Sequence, residues 1–247
     1  MNKTLSLALT VAVLGLSSCG SENTSSNAAN MESMEFVVWP ESGSTVFTQS
    51  PIYVGDPSKE GSIEGTIAVV IGGDAPKVGS SMPTGALSFA SGKTFGTVEM
   101  PTGKQTLHVQ HYGKDGKATA QAQTVEYTVE ATPDSLGVQW GEPKDGATVK
   151  SPFKVSFALA GADLSPAGQN ALDKTMGHHH ITINKGVITP GIIMPMGQDG
   201  LLHYGKAQTE AEVTLAPGTY ELTMQFADAA HRSYGEKLAQ TIKVTVE

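Results

Sequence analysis

Gln240-Thr241-Ile242-Lys243-Val244-Thr245-Val246-Glu247 closes the chain, and the same pattern stands at Gln123-Thr124-Val125-Glu126-Tyr127-Thr128-Val129-Glu130. Both stretches alternate β-branched or aromatic residues with polar ones, which is the period of a half-buried strand. The match extends upstream. Trp39-Pro40-Glu41-Ser42-Gly43-Ser44-Thr45-Val46 followed by Ser50-Pro51-Ile52-Tyr53-Val54 returns as Glu142-Pro143-Lys144-Asp145-Gly146-Ala147-Thr148-Val149 followed by Ser151-Pro152-Phe153-Lys154-Val155. Two copies that agree at both ends are two whole domains of roughly 100 residues each, not units of a solenoid. Short alternating segments punctuated by Gly, Pro and Asp, with no long 3.6-residue period, make the chain all-β. The reading is two tandem immunoglobulin-like antiparallel β-sandwiches, over 34–131 and 136–247, joined by the turn-rich Ala131-Thr132-Pro133-Asp134-Ser135.

In the second domain Phe153, Val155 and Phe157 alternate with polar or small residues, as do Ala211, Val213 and Leu215, then Tyr220, Leu222, Met224 and Phe226. Leu215-Ala216-Pro217-Gly218-Thr219-Tyr220 is similar to the turn that precedes a tyrosine corner, with Tyr220 one residue early. Ile188 to Ile193 reads as a further strand, at an edge or with a bulge because of Pro190 and Gly191.

Ligand chemistry is concentrated in Gly177-His178-His179-His180-Ile181-Thr182-Ile183-Asn184. On a strand His178 and His180 share one face, while His179 falls with Ile181 and Ile183 on the apolar side. Residues two apart lie roughly 6.5 to 7 Å apart at Cα, a gap two imidazoles can close onto one ion. If each connection reverses direction, the loops holding His203 and His231 return to the end at which the histidine strand begins. His178, His180, His203 and His231 are therefore the expected metal ligands, gathered at one end of the sandwich. His179, Asp228, Met194 and Met196 are candidate supporting or extra ligands: a carboxylate can orient an imidazole, and thioethers select Cu(I). His108 and His111 in the first domain, three apart, are expected on opposite strand faces with no metal role, in a diverged copy whose site is lost.

The N-terminus carries a different message. Lys3 precedes an apolar run from Leu5 to Leu16, too short for a bilayer-spanning helix, and Leu16-Ser17-Ser18-Cys19-Gly20 is similar to the bacterial lipobox. Residues 1–18 are expected to be a signal peptide, Cys19 the lipidated N-terminus, and 19–33 a Ser/Asn/Ala-rich tether. Gly20 in place of Asp favours the outer membrane, so the expected location is the cell envelope, facing the periplasm or the cell surface. Cys19 is the sole cysteine, so no disulfide or thiolate ligand is available to the folded part. A net charge of -8 with no basic stripe argues against nucleic acid as a partner. Membrane contact is expected through the lipid only.

From about Val138 onward the sequence carries Pro143, Asp145-Gly146, Ser151-Pro152, Pro166-Ala167-Gly168, Gly177-His178-His179-His180, Pro195, His203-Tyr204-Gly205-Lys206, Gln208-Thr209-Glu210, Leu215-Ala216-Pro217-Gly218, and Asp228 with His231. In these motifs it resembles the bacterial domain of unknown function 4399. Tyr204, Ala207 and Asn184 depart from the Phe, Gly and Asp common in the family. The resemblance implies the fold and a shared histidine set, but no reaction.

The function expected is a lipid-anchored extracytoplasmic protein that holds copper or zinc for sequestration or delivery, releasing it below about pH 6 as imidazoles protonate. Two alternatives stand beside it. One is a metal-dependent enzyme using the same cluster, for which only Asp228 and Glu210 offer a general base. The other is a metal-free immunoglobulin-like adhesion or scaffold module.

Overall fold

The structure, a computed structural model, describes residues 35–56 and 61–247. The signal peptide, Cys19 and the tether lie outside the described residues. Among the described residues the regular elements are strands and one 3-10 turn, Gly235–Leu238. None forms a helix long and apolar enough to cross a membrane.

The N-terminal domain contains β1 (Val38–Trp39), β2 (Thr45–Phe47), β3 (Gln49–Val54), β4 (Thr66–Ile71), β5 (Leu87–Ser88), β6 (Phe95–Glu99), β7 (Gly103–Tyr112) and β8 (Ala118–Glu130). They form a three-stranded sheet in the order β1-β3-β6 and a five-stranded sheet in the order β2-β8-β7-β4-β5. The C-terminal domain repeats this with β9 (Gly137–Glu142), β10 (Ala147–Val149), β11 (Phe153–Ala160), β12 (Asp163–Leu164), β13 (Met176–Ile183), β14 (Leu201–His203), β15 (Glu210–Val213), β16 (Gly218–Asp228) and β17 (Ala239–Val246). Its sheets run β15-β11-β9 and β10-β17-β16-β13-β12, with β14 also paired to β13.

Each domain is a two-layer sandwich because both of its sheets feed one core. Val38, Ile52, Val54 and Val98 of one N-terminal sheet pack in a single cluster with Ile67, Val69, Leu107, Val109, Val125 and Val129 of the other. In the C-terminal domain Trp140, Phe153, Val155, Phe157 and Val213 meet Ile181, Leu222, Met224, Ile242, Val244 and Val246. The alternation in the sequence is thus the alternation of the sheets. Tyr220 also makes its corner: the hydroxyl donates to the Ala216 carbonyl at 3.0 Å.

The repeat extends to ladder register. Val109 pairs with Gln123 and Met224 with Gln240, the two octads being homologous, so Gln110 corresponds to Gln225. Gln110 in turn pairs with Ala68, and Gln225 with His180. Both ladders require a glycine at equivalent places. A Cβ on Gly65 would collide with the Tyr112 carbonyl oxygen, and one on Gly177 with that of Ala227.

One expectation fails. Ile188 to Ile193 is not a strand: apart from a bridge between Ile193 and Arg232, the segment from Asn184 to Gly200 is irregular. Its backbone bonds go to side chains and loops instead. Ile188 exchanges two 2.9 Å bonds with the Gln225 amide, and Met194 N–H donates to the His231 carbonyl at 2.8 Å. Pro190 removes a donor, and Gly191 takes a φ of 81° that no β-strand uses. The segment lies across the outer face of β13 and β16, where Ile188, Met194, Leu201 and Ala227 form a small apolar cluster. With the core on one side and this cover on the other, β13 is buried on both faces from Gly177 to Thr182.

Candidate metal centre

The alternation within the triplet is as read from the sequence. His179 points into the core, with ring centroids 5.0 Å from Phe157 and 5.6 Å from Phe226. His178 and His180 point to the outer face under the cover. All three are fully buried.

His203 arrives by a route the sequence did not suggest. It sits at the end of β14, not in a loop, and its Cα partner across the ladder is His180. Directly opposed residues share a face, so the His203 ring stands beside those of His178 and His180. Gly205 makes room for it, since a Cβ there would clash with Cε1 and Nε2 of the His203 ring. His231 follows the end of β16 with a φ of 67°, in the left-handed region. The four imidazoles therefore meet on the outer face of the sheet, at the end where β13 begins and β16 finishes, with His231 in the loop that follows β16.

Their geometry is that of a cage. Ring-centroid separations are 4.9 Å (His178 to His180), 5.0 Å (His178 to His203), 4.9 Å (His178 to His231), 5.0 Å (His180 to His203), 5.7 Å (His180 to His231) and 5.0 Å (His203 to His231). Six nearly equal edges define a tetrahedron. His203 Nε2 lies 3.2 Å from His178 Nε2 and 3.2 Å from His231 Nε2. One imidazole nitrogen carries either a hydrogen or a lone pair, so it does not satisfy both contacts as hydrogen bonds. Four nitrogens each about 2.0–2.1 Å from a central ion would be roughly 3.3 Å apart, and their ring centroids roughly 5.2 Å apart. Ring nitrogens of His178, His180 and His203 also fall within 4.8 Å of one another. His231 stands outside that trio and touches it through His203, its Nε2 3.2 Å from His203 Nε2.

The electrostatics suit a cation. Both ring nitrogens of His180 and the Nδ1 of His178 are buried without a hydrogen-bond partner. Burial, with the neighbouring histidines adding to it, lowers the His178 imidazole to about 4 and His180 to about 2. Burial also lowers His203 and His231 from the ordinary histidine value. The cage is therefore neutral near pH 7, with its lone pairs available.

Asp228 does not take the supporting role proposed for it beside an imidazole. One carboxylate oxygen accepts from the backbone N–H of Ala230 at 2.9 Å and of Arg232 at 2.8 Å, and the other faces Lys174 at 3.3 Å and Arg232 at 3.4 Å. It shapes the His231 loop rather than touching a ring. Met194 is an apolar residue of the cover itself, packed on Leu201 and Ala227, Met196 is exposed, and His179 is a core residue. In the first domain His108 bonds Thr124 and the Gly73 carbonyl, and His111 bonds Thr119 and the Glu64 carbonyl. Every ring nitrogen there has a partner. A bulge between Gln110 and Tyr112 breaks the regular alternation on which their opposite-face placement relied. Sequence reasoning missed Gly205, Lys174, Arg232 and Glu41. Only Gly205 carried a signal, as part of the His203-Tyr204-Gly205-Lys206 motif.

Residues 155–247 match the family model described as Domain of unknown function (DUF4399). No curated protein matches the sequence. Among solved structures, the chain is similar to the fibronectin(III)-like modules of Clostridium thermocellum CbhA, at 12% identity and a TM-score of 0.33, covering 85% of this chain and 94% of that one. It is similar to the chicken CNTN1 FN1-FN3 domains at 8% identity and a TM-score of 0.30, covering 84% and 66%. A Parabacteroides merdae β-glucuronidase aligns at 8% identity and a TM-score of 0.26, covering 87% of this chain and 24% of that enzyme.

Proposed function

We propose, starting from a C-terminal domain of the DUF4399 family, that this protein is a metal-binding module of the cell envelope. It would hold one zinc- or copper-class ion through His178, His180, His203 and His231, for sequestration or delivery. The observation that carries this is the set of six near-equal ring separations, 4.9 to 5.7 Å. A square-planar site would instead have trans pairs roughly 1.4 times as far apart as cis pairs, so the cage suits a tetrahedral ion such as Zn2+ better than Cu2+.

Binding is favoured over turnover because a catalytic zinc site keeps a position open for water or substrate, whereas His231, beside the trio of His178, His180 and His203, would fill the fourth position here. His178 and His180 are fully buried while His203 is exposed. An ion would enter and leave past His203 and His231, a path suited to exchange with a partner. Lipidation at Cys19 would tether the module to a membrane.

The test is element analysis and calorimetric titration of protein purified without a histidine tag, before and after His178→Ala together with His180→Ala. One equivalent of Zn2+ or Cu2+, lost in the double variant, supports the reading. No binding of either ion at neutral pH removes it.

A further inference from the structure

The N-terminal domain, in which no comparable cage forms among the described residues, packs against segments that flank the candidate metal centre. Thr45 N–H donates to the Leu172 carbonyl at 2.6 Å, and Lys174 N–H donates to the Thr45 carbonyl at 2.6 Å, so the first residue of β2 is stitched to the segment before β13. Beside this seam the Glu41 carboxylate meets Arg232 Nη2 at 3.0 Å and Lys174 Nζ at 3.3 Å. The Arg232 guanidinium stacks on Trp39, 4.2 Å from the ring centroid. Lys174, Arg232 and Asp228 are nearly inaccessible, at 3%, 6% and 3% exposure. Burying charges that deep is costly unless they are paired, and for both cations part of the pairing comes from Glu41 of the other domain.

Arg232 is the residue after His231. Its backbone N–H bonds the Asp228 carboxylate at 2.8 Å and its guanidinium faces the same carboxylate, while the His231 N–H bonds the Asp228 carbonyl at 2.8 Å. This short loop holds His231 at a positive φ that a histidine adopts only when its surroundings impose it. The chain of contact runs Trp39 and Glu41, Arg232, Asp228, His231, and then the cage.

We infer that the N-terminal domain is a positioning element of the metal centre: Glu41 and Trp39 fix Arg232, and through it His231, so that ion affinity depends on the docking of the two domains. The dependence is reciprocal, because whatever domain docking adds to ion affinity, a bound ion adds to docking. The inference rests on the metal-binding reading. Glu41 is a positioning residue, since it touches no ring of the cage.

The experiment uses the full two-domain chain with Glu41→Ala, the near-isosteric Glu41→Gln as the variant safer for folding, His231→Ala, and the Glu41→Ala/His231→Ala double. Zn2+ affinity is read by competition with a chromophoric chelator, the coordination of substituted Co2+ by its visible spectrum, and the 229–233 loop by amide hydrogen exchange without metal. Expected are an affinity loss of about 10-fold for Glu41→Ala, the size usual when a supporting partner of a ligand is removed, with less for Glu41→Gln. The Co2+ spectrum should shift toward that of His231→Ala, and the double should bind no more weakly than His231→Ala alone. Losses that multiply in the double, or Glu41 variants that bind as wild type, overturn the inference. Exchange in the loop separates the two levels. Faster exchange in Glu41→Gln with no Zn2+ binding by the wild type removes the metal reading and keeps the positioning, whereas unchanged exchange with intact binding removes the positioning alone.

Discussion

The two domains share strand order and most of their ladder register, and they differ in chemistry on one outer face. The register that equates Gln110 with Gln225 also equates Ala68 with His180, Thr66 with His178, Tyr112 with Ala227 and Ser88 with His203. In the first domain Tyr112 fills the outer face with Ala68 and Ala118, and Met82 and Ala86 pack over them. In the second the equivalent of Tyr112 is Ala227, which leaves room that the imidazoles occupy. Both domains fold a covering segment across this face, so the cover belongs to the shared scaffold and not to the histidine chemistry alone. A site of this kind needs one bulky residue removed and ligands placed opposite one another, with the core untouched.

The comparison is broken most severely by His180→Ala, which restores the residue of the first domain. Affinity for Zn2+ should fall by at least about 100-fold, more than loss of a supporting partner costs. The metal-free protein should lose little, because His180 carries two buried unpartnered nitrogens whose removal offsets the small cavity left behind. Thermal unfolding with and without Zn2+ separates the two effects, since a saturating ligand at 1,000 times its Kd adds about 4 kcal/mol to the wild type alone.

Gly205→Ala sharpens it next. A methyl group there would clash with Cε1 and Nε2 of His203, so the ring must move from its place in the cage. Zn2+ binding should weaken about 10-fold or more, with one imidazole fewer in the Co2+ spectrum. A wild-type affinity would show that His203 is not a ligand.

Acid provides a third probe. The imidazoles of His178, His179 and His180 titrate below the unfolded value near 6.5, at about 4, about 4 and about 2, because burial opposes their charge. Between those values and 6.5 the unfolded chain binds more protons than the native one, so stability rises with pH and is lost as pH falls through that window. The metal-free protein should accordingly soften in acid, while ion binding should persist below the pH 6 threshold that ordinary imidazoles would set. His179→Leu separates core from cage. It should flatten the acid dependence of stability, raise stability at pH 7 by on the order of 1 kcal/mol as two unpartnered nitrogens leave the core, and leave Zn2+ affinity unchanged. A lost affinity would place His179 in the centre.

The smallest effect is expected in the first domain. His108→Gln removes a ring whose nitrogens are already partnered by Thr124 and Gly73, so the metal stoichiometry of the chain should not change. A reduced stoichiometry would mean that the first domain holds an ion of its own.

Much of this was legible in the order of residues. The octads at Gln123 and Gln240 announce two copies of one sandwich, and strict alternation within His178-His179-His180 assigns two imidazoles to one face and the third to the core, because a strand offers side chains no other choice. The expectation that His203 and His231 would join them counted strand reversals, and the four rings do meet. The route was different, since Asn184 to Gly200 is a cover and His203 lies on a strand facing His180.

Sequence by itself thus determined the period, the repeat and the side of the sheet, all properties of neighbouring residues along one strand. Only the tertiary structure decided that the rings form a tetrahedron, that Asp228 serves a loop and not an imidazole, and that Glu41 from the other domain reaches Arg232. These depend on contacts between segments as far apart as Glu41 and Arg232, and such contacts are set by how sheets pack and covers fold, which leaves no periodic trace in the chain.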